Sequence, residues 1–340
     1  SDKQLFEKGE SNGKSVGIIG SGPAGLSCAT YLARLGYSVT VYEKNSLAGG
    51  LDTYGMAEYK MTQADSLEEV KMIEKLGVEF KLNCEIRSEP LASAGGLDVS
   101  NSKDEIKPSA YADGSDLFVE HDAIFLGIGL GSSNDLNIVG EDLDGVWEAL
   151  DFIEKIKTRE WEMVPLGETV AVIGAGNTAI DAVTQAKRLG AKRVLMVYRK
   201  TEKDISAYEY EYELAKKDGI EFVWQASPIE ILGDGKVSGM KCKRNDGSDE
   251  EFEIPCDMVI KAIGQKKQIG FFERLGVETD ERGRVVVNEN MKTSDEKIFA
   301  GGDCVNGGAE AVDASQAGKM AAIGIHKELF EETIELAGSR

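Results

Sequence analysis

The sequence has no Cys-x-x-Cys pair. Its five cysteines, Cys28, Cys84, Cys242, Cys256 and Cys304, suit neither a zinc site nor an iron–sulfur cluster by their spacing, and no metal is expected. They read as small buried hydrophobes in a reducing compartment. Histidine is nearly missing: His121 and His326 are the two in 340 residues, and neither is assigned a role. Basic residues are short as well, 39 against 60 acidic ones, for a formal charge of −21. A phosphate backbone would be repelled, so nucleic acid is excluded as a partner. No apolar run approaches the length of a membrane span, so no membrane partner is expected. The polar start SDKQLFEKGESNGK is unlike a signal peptide, and a cytoplasmic protein is expected.

Glycine is abundant, 39 residues against 6 prolines. It marks two loops of one design, VGIIGSGPAGLS at 16–27 and VAVIGAGNTAID at 170–181. Each is a short apolar run leading into Gly-x-Gly-x-x-Gly/Ala and then a helical pattern. The first unit reads as a strand at 14–19, a helix from about Pro23 to Leu35 and a strand at 38–42. A helix near 65–76 and a strand at 78–82 follow. The second unit reads as a strand at 169–173, a helix at 177–189 and a strand at 193–198. Residues 87–118 are polar and weakly periodic, a surface hairpin or excursion. Apolar runs DAIFLGIG (122–129) and CDMVIKAIG (256–264) read as buried parallel strands. GRVVVNENMKT reads as a hairpin, followed by a strand (IFAGGD) and a helix from about 309 to 331.

The first unit lacks strands before residue 140, and apolar strands return after 255. The fold class is therefore α/β, with two Rossmann-like, parallel-sheet nucleotide-binding domains, the second inserted in the first. The expected domains are 1–139 plus 255–340, and 140–254.

In the first loop Gly20 makes the turn, Gly22 lets the backbone approach a pyrophosphate, and Gly25 lets the helix pack on the strand. The helix N-terminus, with Pro23 and Ala24, faces the anion. Glu43 ends the next strand 23 residues after Gly20, where a carboxylate accepts from ribose hydroxyls. An ordinary tight turn is the alternative. The second loop has Gly174, Gly176, Asn177 and Thr178, with Ala179 in the third position; the Asn and Thr can cap the helix or reach a pyrophosphate oxygen.

The two units align as an internal repeat. Leu35 and Leu189 each lie 15 residues after the first glycine, and Tyr42-Glu43-Lys44 falls on Tyr198-Arg199-Lys200. A carboxylate suits a free ribose diol, whereas a guanidinium pairs with a 2′-phosphate. Residues 187–203 hold seven basic side chains and one acid, Glu202, which asks for an anionic ligand. A solvated helix end and strand edge accounts for Lys187 and Lys192.

These motifs, with YEKNSLAGGLDTYGMAEYK, FLGIGLG, VYRK, DMVIKAIG and FAGGDCVNGGAEAV, resemble the NADPH-oxidising flavoprotein family shared by the glutamate synthase small subunit and dihydropyrimidine dehydrogenase. The likeness covers nearly the whole chain except 87–118, and SAYEYEYELAKKDGIEF is most similar to the bacterial two-subunit dihydropyrimidine dehydrogenase. The resemblance implies FAD in the split domain and NADPH in the inserted one. It puts Gly22, Pro23 and Ala24 on the FAD pyrophosphate, Glu43 on the ribose, and the run from Lys44 to Gly50 and Leu51 around the flavin side. Lys60 stands where relatives often carry Arg, and Ile86 contacts the adenine end. Gly129 and Ala262-Ile263-Gly264 lie near FAD. Gly302 precedes Asp303, which bonds a ribityl hydroxyl or alternatively caps a helix, and Gly308-Ala309 present backbone donors to the flavin ring.

Three departures stand out. The cysteine-rich iron–sulfur segment of these relatives is missing before the first loop, as in an excised fragment. The stretch 87–118 is longer than the family's connection. No arginine stands near Ser206, which leaves NADH possible beside NADPH. The expected reaction is hydride transfer from nicotinamide to flavin, with electrons leaving to a larger partner subunit or domain carrying iron–sulfur and flavin centres. The alternatives are a free-standing thioredoxin-reductase-like enzyme, which needs a redox cysteine pair, and a non-catalytic FAD-binding assembly module.

Overall fold

A computed structural model describes residues 5–87, 110–113, 117 and 119–331. The chain divides into two compact units. One comprises residues 1–52, 64–131 and 267–340; the other comprises 53–63 and 132–266.

The first unit is built on a parallel five-stranded sheet in the order Ile298–Ala300, Ala123–Leu126, Ser15–Ile19, Ser38–Tyr42, Glu79–Lys81. The strand Ser15–Ile19 leads into helix Pro23–Arg34, whose buried face (Leu26, Ala29, Leu32, Ala33) packs with Val16, Ile18, Val39 and Val41. Fully burying a side chain such as Leu32 contributes about 1.5–3 kcal/mol. Helix Ala311–Phe330 adds Ala321, Ala322 and Ile325 to the same core. The two helices approach closely because Gly318 has no Cβ: one built there would lie 2.0 Å from the Ala24 carbonyl oxygen.

The second unit repeats the plan. Its parallel sheet runs Glu221–Val223, Arg193–Val197, Thr169–Ile173, Met258–Lys261, Val146–Glu148. Helix Asn177–Leu189 covers it with Ile180, Val183 and Ala186, and helix Ala149–Thr158 brings Phe152 and Ile156 to that core. An antiparallel sheet of Ala226–Gly233, Val237–Arg244 and Glu251–Ile254 completes the unit. In each parallel sheet the strand before the glycine loop has a sequence neighbour on one side and a distant strand on the other. That is the switch point at which such sheets hold ligands.

Four expectations change. The strand expected at 256–264 is Met258–Lys261, and it lies in the second sheet between Thr169–Ile173 and Val146–Glu148 rather than in the first domain. Residues 53–63 likewise group with the second unit. The hairpin expected at 283–293 is a turned loop: it carries only isolated bridges, Thr279 to Val285 and Lys292 to Phe299, and the Asn288 N–H bonds the Lys292 carbonyl within it. At the edges of the 87–118 stretch, Cys84–Arg87 pairs with Ala110–Asp113 in parallel, which a hairpin does not do. The rest of that stretch lies outside the described residues, apart from Leu117.

His121 sits beneath the first sheet, buried against Gly17, with Nε2 2.9 Å from the Tyr42 hydroxyl. Burial lowers its pKa from the ordinary value of 6.5. The unfolded chain therefore takes up the proton first, and stability is full above that value and falls as pH drops through it. His121→Gln should flatten this acid limb in urea titrations between about pH 7 and pH 5.

Candidate dinucleotide-binding sites

In the first unit, Gly20 turns with φ +94° and its N–H bonds the Tyr42 carbonyl at 2.9 Å. A Cβ on Gly25 would lie 2.0 Å from the Gly20 carbonyl oxygen, and Gly50 sits so close that its Cβ would be 2.6 Å from Gly22 Cα. Gly22 differs: a Cβ there meets nothing within 4 Å. Gly22 also begins helix Pro23–Arg34 with no side-chain cap, so no capping side chain bonds the N–H groups of its first turn.

Glu43 is buried and already committed. Its Oε2 accepts from the Ser21 N–H (3.1 Å) and hydroxyl (2.6 Å), and its Oε1 accepts from the Asn45 N–H at 2.8 Å. A carboxylate has about four acceptor directions, so one remains for a ribose hydroxyl. Lys44 and Leu51 are exposed, and Ile86 is buried with Ile19, Tyr42 and Leu126. Gly129 has φ +63° with open space around its Cβ position, and Gly302 (φ +76°) lies against Ala24.

Asp303 is largely buried, and burial raises its pKa, partly offset by the Ala309 N–H. The expected backbone donors are not free. The Ala309 N–H bonds Asp303 Oδ1 at 3.1 Å and the Gly308 N–H bonds Asn306 Oδ1 at 2.8 Å, so the turn closes on itself.

In the second unit a cleft of about 650 Å³ opens at the carboxyl ends of the strands. Gly174, Gly176 and Thr178 line it, with Arg199, Lys200 and Ser206. Gly174 has φ +130°, and a Cβ there would lie 2.2 Å from the Ala262 carbonyl oxygen; Gly176 keeps 3.5 Å to its nearest neighbour, Ser206 Oγ. Asn177 is turned from the cleft: its Oδ1 accepts from the Tyr208 N–H at 3.0 Å.

The basic cluster separates cleanly. Lys187 bonds the Lys192 carbonyl, Arg188 pairs with Asp218, Lys192 with Glu168 and Arg193 with Glu221. Arg199 and Lys200 are exposed at the cleft and pair with no carboxylate among the described residues. The nearby acids are occupied: Glu202 accepts from the Tyr212 hydroxyl and Asp204 from Thr201.

Two expectations are corrected. Ala262, Ile263 and Gly264, expected near FAD, line the second unit's cleft, because the strand before them belongs to that sheet. Lys60 belongs to the second unit too: its ammonium lies 2.7 Å from Asp181 Oδ1 and 2.7 Å from Glu211 Oε1. The opposing charges raise its pKa although burial works against the charged form.

Sequence reasoning missed Lys261, which lines the cleft and pairs with Glu141 (2.7 Å) and Glu148 (2.8 Å). Glu141 in turn accepts from the N–H groups of Leu136 and Asn137, fixing the cleft wall that starts at Ser133. The signal was present as one charge within the apolar run DMVIKAIG.

All five cysteines are free and buried. Burial pushes the thiols of Cys242, Cys256 and Cys304 up to about 12 and Cys28 well above its ordinary value, the opposite of what a redox thiol needs. Among the described residues no group of His, Cys, Asp and Glu could hold a metal ion. No helix there is long and apolar enough to cross a membrane.

Two parallel sheets, each with a glycine loop at its switch point, define a protein with two dinucleotide-binding domains. Residues 14–318 match the pyridine nucleotide-disulphide oxidoreductases, and the chain belongs to this family. It is 35% identical over 343 residues to the glutamate synthase [NADPH] small chain of Escherichia coli, covering 92% of this chain and 68% of that one. It is 28% identical over 328 residues to an NAD-dependent dihydropyrimidine dehydrogenase subunit homologue of Salmonella typhi, covering 96% and 71%. Among solved structures, T. acidophilum thioredoxin reductase has the same fold, with TM-score 0.71 and 24% identity, covering 93% of this chain and 99% of that one.

The glycines give a paired test. Gly25→Ala should cost about 1–3 kcal/mol or more by overpacking and lower the thermal midpoint. Gly22→Ala should leave the midpoint of the cofactor-free protein unchanged and weaken retention of a pyrophosphate-bearing cofactor, measured by ultrafiltration.

Proposed function

We propose that the chain is the electron-input component of a larger reductase. It takes a hydride from NADPH, with NADH the weaker donor, onto FAD, and passes electrons to a partner domain or subunit with iron–sulfur and flavin centres. The observation that carries this reading is the pair Arg199 and Lys200, which line a cleft and form no salt bridge among the described residues, while four basic neighbours have local partners. In a chain of charge −21 they form a local anion site at the strand end where a 2′-phosphate lies. The first loop suits the other nucleotide: Gly22 is open, the helix end is uncapped and Glu43 keeps one acceptor direction.

Bound FAD would supply the acceptor for the hydride. The chain's own residues orient the two nucleotides and exclude water, and no side-chain acid or base is needed for that step. Gly22, Pro23 and Ala24 would face the FAD pyrophosphate and Glu43 its ribose. Gly174, Gly176 and Thr178 would face the nicotinamide nucleotide's pyrophosphate, with Arg199 and Lys200 on its phosphate. A partner is supported by the relatives named as a small chain and a subunit. The thioredoxin-reductase reading lacks its cysteine pair.

Anaerobic mixing of the flavin-loaded protein with NADPH should bleach the flavin absorbance; an unchanged spectrum overturns the enzyme reading. Arg199→Glu should raise KM for NADPH about tenfold to more than a hundredfold, at 1.5–3 kcal/mol per charged hydrogen bond, and KM for NADH far less. Equal effects on both would show that Arg199 does not read the phosphate.

A further inference from the structure

The run Gly49–Met61 leads from the first unit into the second: its start packs on the first glycine loop, and its end packs on the helix that follows the second loop. At its start the Gly49 N–H bonds the Ser21 carbonyl and hydroxyl, both at 3.1 Å, and Gly50 packs on Gly22. After the short helix Leu51–Tyr54, residues 58–61 dock on the helix that follows the second loop, Asn177–Leu189. The Glu58 N–H bonds Gln185 Oε1 (3.3 Å) and the Tyr59 hydroxyl bonds Asp181 Oδ1 (2.8 Å). The Arg188 guanidinium lies over the Tyr59 ring, 4.7 Å from its centroid. Asp181, Gln185 and Arg188 are spaced along one face of that helix. Lys60 bridges Asp181 to Glu211, and Lys157 donates to the Met61 carbonyl at 2.5 Å.

This docking is polar and incompletely satisfied. Of the seven buried side-chain atoms without a hydrogen-bond partner among the described residues, four lie in the strap, on that helix or on Glu211: Glu58 Oε2, which faces the Lys157 ammonium at 3.7 Å, Thr184 Oγ1, Gln185 Nε2 and Glu211 Oε2. Two carboxylates, Asp181 and Glu211, both under a tenth exposed, share the one ammonium of Lys60. An orphaned buried polar atom costs about 1–3 kcal/mol, so such a contact is held well below the stability of the apolar core. It is suited to engage and release.

We propose that Gly49–Met61 is a coupling strap, clasped by Lys60, through which occupancy of one dinucleotide site changes affinity at the other. The proposal rests on the assignment of FAD to the first loop and a nicotinamide nucleotide to the second. Coupling of this kind is reciprocal: a nucleotide that tightens FAD is tightened by FAD by the same factor.

The test uses the FAD-loaded protein and oxidised NADP⁺, which binds without turnover. In the wild type, NADP⁺ should slow FAD release about fivefold or more, within the usual range of coupling, and slow amide exchange across 53–63. Lys60→Met leaves two buried carboxylates without their cation. It should abolish the effect of NADP⁺ on FAD release, raise exchange in 53–63 alone, and weaken NADP⁺ binding by no more than the lost coupling factor. Lys157→Met reaches the strap from helix Ala149–Thr158 and should act in the same direction, which guards against misfolding of the first variant. A nucleotide effect on FAD release that survives in both variants overturns the strap, as does exchange that rises throughout the second unit. If the wild type binds neither NADP⁺ nor NAD⁺, the functional reading fails and the strap with it.

Discussion

Everything in the first unit hangs on one steric constraint, the contact of backbone with backbone where strand Ser15–Ile19 turns into helix Pro23–Arg34. Gly25 lies on the Gly20 carbonyl and Gly318 on the Ala24 carbonyl, at distances that leave no room for a methyl group. The helix can therefore lie flat on the sheet with its first turn pointing at the loop. The second unit meets the same constraint differently. Ala179 is tolerated in the third position, and the tight contact moves to Gly174 against the Ala262 carbonyl. That contact ties the second loop to the neighbouring strand and brings Ala262–Gly264 into its cleft.

Charge provides the second layer of organisation. The chain is strongly acidic, and cations such as Lys71, Lys192, Arg193 and Lys266 pair with carboxylates on the surface, where such pairs contribute about 0–1 kcal/mol each. The informative cations are the exceptions. Among the described residues Arg199 and Lys200 form no salt bridge at their cleft, while half-buried Lys60 and buried Lys261 each lie between two carboxylates. The first pair suits an incoming anion, while the other two hold the chain's own segments in place.

The glycine loops, the strands around them and the helices Pro23–Arg34 and Asn177–Leu189 were legible in the sequence, because turn geometry and apolar periodicity are local. The exchange of Glu43 for Arg199 was legible from the internal repeat. What was not legible is long-range pairing. Nothing in the apolar run CDMVIKAIG says which of two parallel sheets it joins, and the answer moved Ala262–Gly264 from one site to the other. Lys60 was read by resemblance as a cofactor contact, yet its partners, Asp181 and Glu211, lie more than a hundred residues away. The self-bonded turn at Asp303–Ala309 was invisible for the same kind of reason, since motif spacing identifies donors without showing that they are already used.

That closed turn bears on where cofactor affinity comes from. A ligand group arriving at Gly308 or Ala309 would exchange one hydrogen bond for another instead of gaining a new one, and such an exchange is close to thermoneutral. The turn can then discriminate by shape at little energetic gain. The tightness of binding would then rest on the uncapped helix start at Gly22 and the remaining acceptor direction of Glu43.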